Sequence, residues 1–153
     1  MTRNGDAADD VEIRLRDVED ADLPVFFAHQ SDPEATAIAA FTARDREAFL
    51  AHWARIRSDP AVVTRTILRA GDVAGNIVSF EQDGAREVGY WIGREYWGRG
   101  IATRALAKFL MIVRERPLHA WITKDNTASI RVVERCGFTL LREDGGSLVF
   151  ELR

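Results

Sequence analysis

The chain contains a single cysteine, Cys136, among its 153 residues. One thiol cannot close an internal disulfide or build a thiolate-rich zinc site, so a disulfide scaffold and a zinc finger are both excluded. His29, His52 and His119 show no metal-ligand spacing, so no metal is expected. No run approaches the ~20 apolar residues of a membrane-spanning helix, and no membrane association is expected. Met1 to Asp10 is polar and acidic and lacks the apolar core of a secretory signal. It reads as a loose acidic tail, and the cytoplasm is the expected compartment. Glycine and proline together fill only 15 positions. The net charge is −3, which argues against coating a nucleic acid and leaves open a local basic patch.

What is present is the composition of an ordinary globular protein, 46% hydrophobic and 29% charged. Residues 1–153 suit one domain burying roughly two-thirds of the surface of its unfolded chain. Charge is distributed unevenly. Residues 1–20 hold seven acids and three bases, whereas residues 94–116 hold six bases and two acids.

Val11, Ile13 and Leu15 alternate with charged residues and predict a short strand with one wet face. Asp20 or Asp22 can cap a helix running to about Gln30. Phe49, Trp53 and Ile56 recur at helical spacing within a helix over 45–57. Residues 61–69, 73–80 and 87–92 read as three strands joined by turns at Gly71-Asp72 and Asp83-Gly84, an antiparallel meander. From Gly98 to about Arg114 the period becomes 3.6, and Pro117 ends that helix. A strand over 118–122, a helix over 126–135 ending at Gly137, and strands over 139–141 and 148–152 complete an α+β order with a mixed sheet.

The densest chemistry lies where the strand ending at Ile92 meets the helix after Gly100, in Trp97-Gly98-Arg99-Gly100-Ile101-Ala102-Thr103. The first amides of a helix lack intrahelical partners and sit at the positive end of its dipole. Glycines there let a ligand approach the backbone, so the segment can cradle a phosphate; it can equally be a tight turn. A Walker A loop is excluded because its Gly-Lys-Ser/Thr end is absent. A Rossmann site is disfavoured, since Thr103 stands where the third glycine belongs.

A second cluster, Asn126, Ser129, Arg131-Val132 and Gly137-Phe138, lies 28 residues after Gly98. Together with Gly89-Tyr90-Trp91-Ile92 and Tyr96-Trp97-Gly98-Arg99-Gly100-Ile101-Ala102-Thr103, it resembles the GNAT superfamily of acetyl-CoA-dependent N-acetyltransferases, and within it the RimJ/RimL-like branch. The resemblance runs from about Val11 to Leu152. It implies a mixed, mostly antiparallel sheet of six to seven strands flanked by about four helices. It also implies a V-shaped splay between the 87–92 and 118–122 strands.

The same resemblance implies acetyl-CoA as cosubstrate and direct attack by a primary amine, a protein N-terminus or small molecule, in a ternary complex. Trp97, Gly98, Arg99, Gly100, Ile101, Ala102 and Thr103 would hold the pyrophosphate. Glu95 departs from the family pattern, pointing to solvent and leaving Arg94 or Arg99 to supply positive charge. The backbone of Tyr90, Trp91 and Ile92 would pair with the pantetheine arm, as in strand augmentation. An amide near Trp91 or Ile92 would receive the developing oxyanion. Asn126 would touch the cofactor arm, and would serve equally as a helix cap.

The family's acid tyrosine is replaced by Val133, so Ser129 is the candidate donor to the leaving sulfur. Glu87 is the candidate general base, with Glu81 a weaker one, and each also reads as a solvated strand-end charge. Cys136 reads as packing rather than as a nucleophile. Phe41, Trp53 and Trp91 read either as core or as the wall of an acceptor cleft. A catalytically degenerate acyl-CoA sensor is the alternative function, and the protein is expected to be a monomer or homodimer without nucleic-acid partners.

Overall fold

A computed structural model describes residues 11–153; the expected acidic tail, 1–10, lies outside the described residues. The described residues form seven strands in one sheet: β1 (Ile13–Arg16), β2 (Val63–Arg69), β3 (Asp72–Gln82), β4 (Ala85–Ile92), β5 (Leu118–Thr123), β6 (Thr139–Asp144) and β7 (Ser147–Leu152). Five helices flank it: α1 (Leu23–Gln30), α2 (Pro33–Ala39), α3 (Arg46–Ser58), α4 (Ile101–Phe109) and α5 (Thr127–Arg135). The sheet order is β1-β2-β3-β4-β5-β7-β6. All neighbours are antiparallel except β4 and β5, which are parallel.

Five helices stand where about four were expected, because α2 escapes a reading based on apolar periodicity. Its signal is local. Asp32 caps it by accepting from the Glu34 amide at 3.1 Å, and Pro33 occupies its first turn, where a missing N–H costs nothing. The helix expected over 98–114 is shorter. Gly98 and Gly100 have φ of +77° and +74° and hold the preceding loop out of helical conformation. Past Phe109 the chain turns, and Ile112, within the span expected to be helical, is exposed.

Strand alternation sorts side chains between two cores. On one face Ile77, Val88, Leu118 and Phe150 meet Ile101, Leu106 and Phe109 of α4 and Val133 of α5. On the other, Phe26 of α1 packs on Phe49 and Trp53 of α3, and Val78 of β3 packs against this cluster. Trp53 is therefore core, one of the two readings its spacing allowed.

β4 and β5 are in register at only two positions, Arg86 with Leu118 and Glu87 with His119. Beyond Glu87 they diverge, which is the splay expected between these strands. A strand opened on one side leaves backbone hydrogen-bonding groups without a ladder partner, and the functional site is built around them.

Candidate active site

The direction of those backbone groups follows from a single bond. The Gly93 amide donates to the Ala74 carbonyl at 2.9 Å, so Gly93 faces the β3 side. Backbone groups alternate in direction along an antiparallel strand. Trp91 therefore faces β3 as well, while Tyr90 and Ile92 face the gap. Of the two amides considered for the oxyanion, Ile92's is turned toward the gap. The Ile92 carbonyl is taken by Trp97 Nε1 at 2.9 Å.

A cavity of about 500 Å³ occupies the gap and runs to the start of α4. Tyr90, Trp91, Ile92, Trp97, Gly98, Gly100, Ile101, Ala102, Thr103, Asn126 and Ser129 all line it, so two segments distant in sequence form one wall. Two expected residues are not on that wall. Arg99 is absent from it, and its carbonyl accepts instead from Arg104 Nη2 at 3.2 Å. Glu87 lies at the closed end of the splay, half-buried, beside His119.

The cavity is fitted to receive an anion at its α4 end. No side chain caps α4, whose Ncap residue is Gly100, and its first amides have no helical acceptors. A Cβ at Gly98 would meet no atom within 4 Å, so the space above the loop is open. Arg104 draws the Arg99 and Gly100 carbonyls to itself, at 3.2 and 3.4 Å from Nη2 and Nε. Arg131 and Arg135 of α5 add positive charge to the lining, a contribution that the basic count over 94–116 passed over.

Arg94 does not add charge to the cavity. Its guanidinium bonds Asp32 at 2.6 Å and Glu34 at 2.8 Å, tying α2 to the loop after β4. Glu95 is exposed, as expected from its departure from the family pattern. Ala35, Ile38 and Ala39 of α2 also line the cavity, and were missed together with that helix.

Asn126 caps α5, its Oδ1 accepting from the Ser129 amide at 3.2 Å, while also facing the cavity. Ser129 receives a hydrogen bond from Tyr90 Oη at 3.0 Å. Val133, one turn further on, is fully buried in the core. Burial pushes the Tyr90 hydroxyl up to about 12, and the Ser129 bond only partly offsets this. The phenol is therefore neutral at physiological pH.

Glu87 shares a sheet face with Gly89 and Trp91. Burial pushes its carboxyl above the usual range, His119 opposes the shift, and Asp83 adds to it. Glu81 is exposed and pairs with Arg86, which places it on the other sheet face. Cys136 Sγ donates to the Thr103 carbonyl at 3.5 Å, and burial raises its thiol, so it is not an activated thiolate. Phe41 packs edge-on against Trp91 with ring centroids 5.2 Å apart, and Trp91 Nε1 is buried without a hydrogen-bond partner. Among the described residues no cluster of His, Cys, Asp or Glu could hold a metal, and no helix is long and apolar enough to cross a membrane.

Comparisons with known proteins converge on the same architecture. The acetyltransferase (GNAT) domain family matches residues 12–139. An uncharacterized N-acetyltransferase, p20, from Bacillus licheniformis is 29% identical over 140 residues, covering 82% of this chain and 77% of the relative. A domain from Methanocaldococcus jannaschii superposes with a TM-score of 0.80 at 22% identity, over 94% of this chain and 99% of that one. Spermidine N-acetyltransferase from Vibrio cholerae, solved with CoA and spermine, gives a TM-score of 0.76 at 17% identity, over 91% and 92%. These two structures speak to fold. The family match spans most of the chain, including the splayed strand and the glycine loop, and on that ground the chain belongs to the GNAT acetyltransferase family.

Proposed function

We propose that the protein transfers an acetyl group from acetyl-CoA to a primary amine by direct attack in a ternary complex, and that it belongs to the RimJ/RimL-like branch. The carrying observation is the gap after the Glu87–His119 pair, where the Tyr90 backbone and the Ile92 amide face a cavity ending at an uncapped helix. A pantetheine arm has amides that can pair with such an edge, and a pyrophosphate has the charge that such a helix end attracts. Acetyl-CoA supplies the activated acyl group and a thiol leaving group.

The chain's residues then divide the work. The residues of Trp97 to Thr103 that line the cavity, all but Arg99, hold the pyrophosphate, with Gly98 and Gly100 keeping side chains out of its way. Tyr90, Trp91 and Ile92 align the arm, and Asn126 touches it while capping α5. The Ile92 amide points at the developing oxyanion. Ser129 donates its hydroxyl proton as a hydrogen bond to the sulfur as charge builds there. Glu87, through one water, accepts the proton that the acceptor ammonium must lose before attack. Holding amine and thioester in line provides the largest share of the acceleration.

Titration calorimetry with acetyl-CoA, followed by CoA release across an amine panel, tests this reading. Binding with turnover is expected. Binding without turnover on any amine identifies a sensor, and absence of binding overturns the proposal.

A further inference from the structure

Two arginines stacked on aromatic rings, Arg44 and Arg142, have no carboxylate partner among the described residues. Glu87 and His119 are in register, so alternation places Trp121 of β5 on the same face as Glu87, Gly89 and Trp91. This is the face that α1 and α3 cover. Each side of the gap there presents an aromatic ring with a guanidinium above it. Arg44 Cζ stands 5.6 Å from the centroid of Phe41, which itself packs on Trp91. Arg142 Cζ stands 5.7 Å from the centroid of Trp121.

Arg44 is held in place. The buried Gln30 side chain clamps its backbone twice, Nε2 donating to the Arg44 carbonyl at 3.1 Å and Oε1 accepting from the Arg44 amide at 3.2 Å. Among the described residues neither the Arg44 nor the Arg142 guanidinium has a carboxylate partner. Nearby acids are already engaged: Asp32 and Glu34 by Arg94, Glu143 by Lys124, and Glu151 by His119 and Arg153.

Next to Arg44 is a second cavity, of about 120 Å³, lined among others by Phe26, Phe49, His52, Trp53 and Asn76, with no acid in its wall. Burial, then Arg44 and Arg55, hold His52 down to about 4, so the imidazole is neutral and adds no cation beside Arg44. A cavity of about 150 Å³ accommodates a benzene ring, so this smaller one suits a branched aliphatic group or the buried part of an aromatic ring.

We infer that the acceptor is an amino-carboxylate with an apolar body rather than a polyamine, its carboxylate received by Arg44 and its apolar body by the cavity beside Phe49 and Trp53. This inference rests on the acetyl-transfer reading. A cation brought to this cavity would meet like charge, whereas a carboxylate would gain a charge-assisted partner whose planar fork can bond both its oxygens.

The test is CoA release with matched acceptors: phenylalanine against phenylalaninamide, 4-(aminomethyl)benzoate against benzylamine, and spermidine. In at least one pair, kcat/KM is expected to be about tenfold or more higher for the carboxylate member. Arg44→Gln should collapse that ratio toward one, and Lys108→Gln, an exposed cation on α4, should not change it. Added to the CoA-saturated protein, N-acetylphenylalanine should raise Tm further in the natural protein and not in Arg44→Gln. Ratios near one in both pairs, or a preference for spermidine, overturn the inference while leaving acetyl transfer standing. Failure of CoA to bind by calorimetry overturns both. Should Arg44→Gln not fold, the ratios and thermal shift of the natural protein still decide.

Discussion

Tyr90 Oη donates to Ser129 Oγ at 3.0 Å, joining the splayed strand to the helix across 39 residues of sequence. Among the described residues Ser129 is the only hydrogen-bond partner of that phenol. A phenol held at about 12 stays protonated and donates. The serine, having accepted, keeps its own proton free for the cavity. Tyr90 thus orients the Ser129 hydroxyl without giving up its proton.

Tyr90→Phe should lower kcat about tenfold with little change in KM for acetyl-CoA, because the ring remains and only the orienting bond is lost. Ser129→Ala should cost at least as much. The double variant should be no worse than Ser129→Ala alone, the non-additivity expected of groups acting as a unit. Additive losses in steady-state kinetics would separate the two residues.

Gly98→Val should abolish the rise in Tm expected of the natural protein on adding acetyl-CoA. A β-branched residue is strained at φ +77°, and its side chain would enter the space above the loop. Circular dichroism checks that the fold survives. An undiminished thermal shift would place the phosphate elsewhere.

Glu87→Gln should remove an acid limb from the pH dependence of kcat. The carboxyl accepts a proton only when ionised, so the rate should rise with pH through a value above the ordinary glutamate range, following the upward shift that burial imposes. The variant should show a flat profile in that region and a rate about 100-fold lower. A variant with the natural profile would clear Glu87 of the role.

Asp22 ties the first strand to α1 and β2. Its carboxylate accepts from Arg16 at 2.7 and 2.9 Å, from Thr66 Oγ1 at 2.6 Å and from the Glu19 amide at 2.9 Å. Burial pushes its pKa up, and these donors together with the Arg16 charge outweigh burial and hold it below the usual range. A depressed carboxylate contributes stability above its unfolded pKa of about 4, and that contribution disappears as pH falls through the folded value. Asp22→Asn should therefore lose about 2 kcal/mol or more at pH 7 by urea denaturation, and the gap should close toward pH 2.

Much of the fold is legible because its signals are local. Alternation marks β1 to β4, a 3.6 period marks α4, and Asn126 followed by a helical stripe marks α5. Gly98 and Gly100 mark the loop before α4, since left-handed backbone is adopted at little cost only by glycine. The missed helix α2 had a local signal too, in Asp32-Pro33-Glu34, but its apolar face is too small for periodicity to register.

What tertiary structure alone decided are relations between residues far apart in sequence. Arg94 reads as a cofactor cation until Asp32 and Glu34, about 60 residues away, engage it. Arg99 sits in the glycine loop, yet the fold turns it off the cavity wall. Glu87 belongs to the expected strand, but the divergence of β4 from β5 begins only after it, leaving it at the closed end of the splay beside His119. Local propensity determines which segments become strands, helices and turns. Which side chains face one another, and which charges remain unpaired, depends on the packing of segments brought together only when the chain folds.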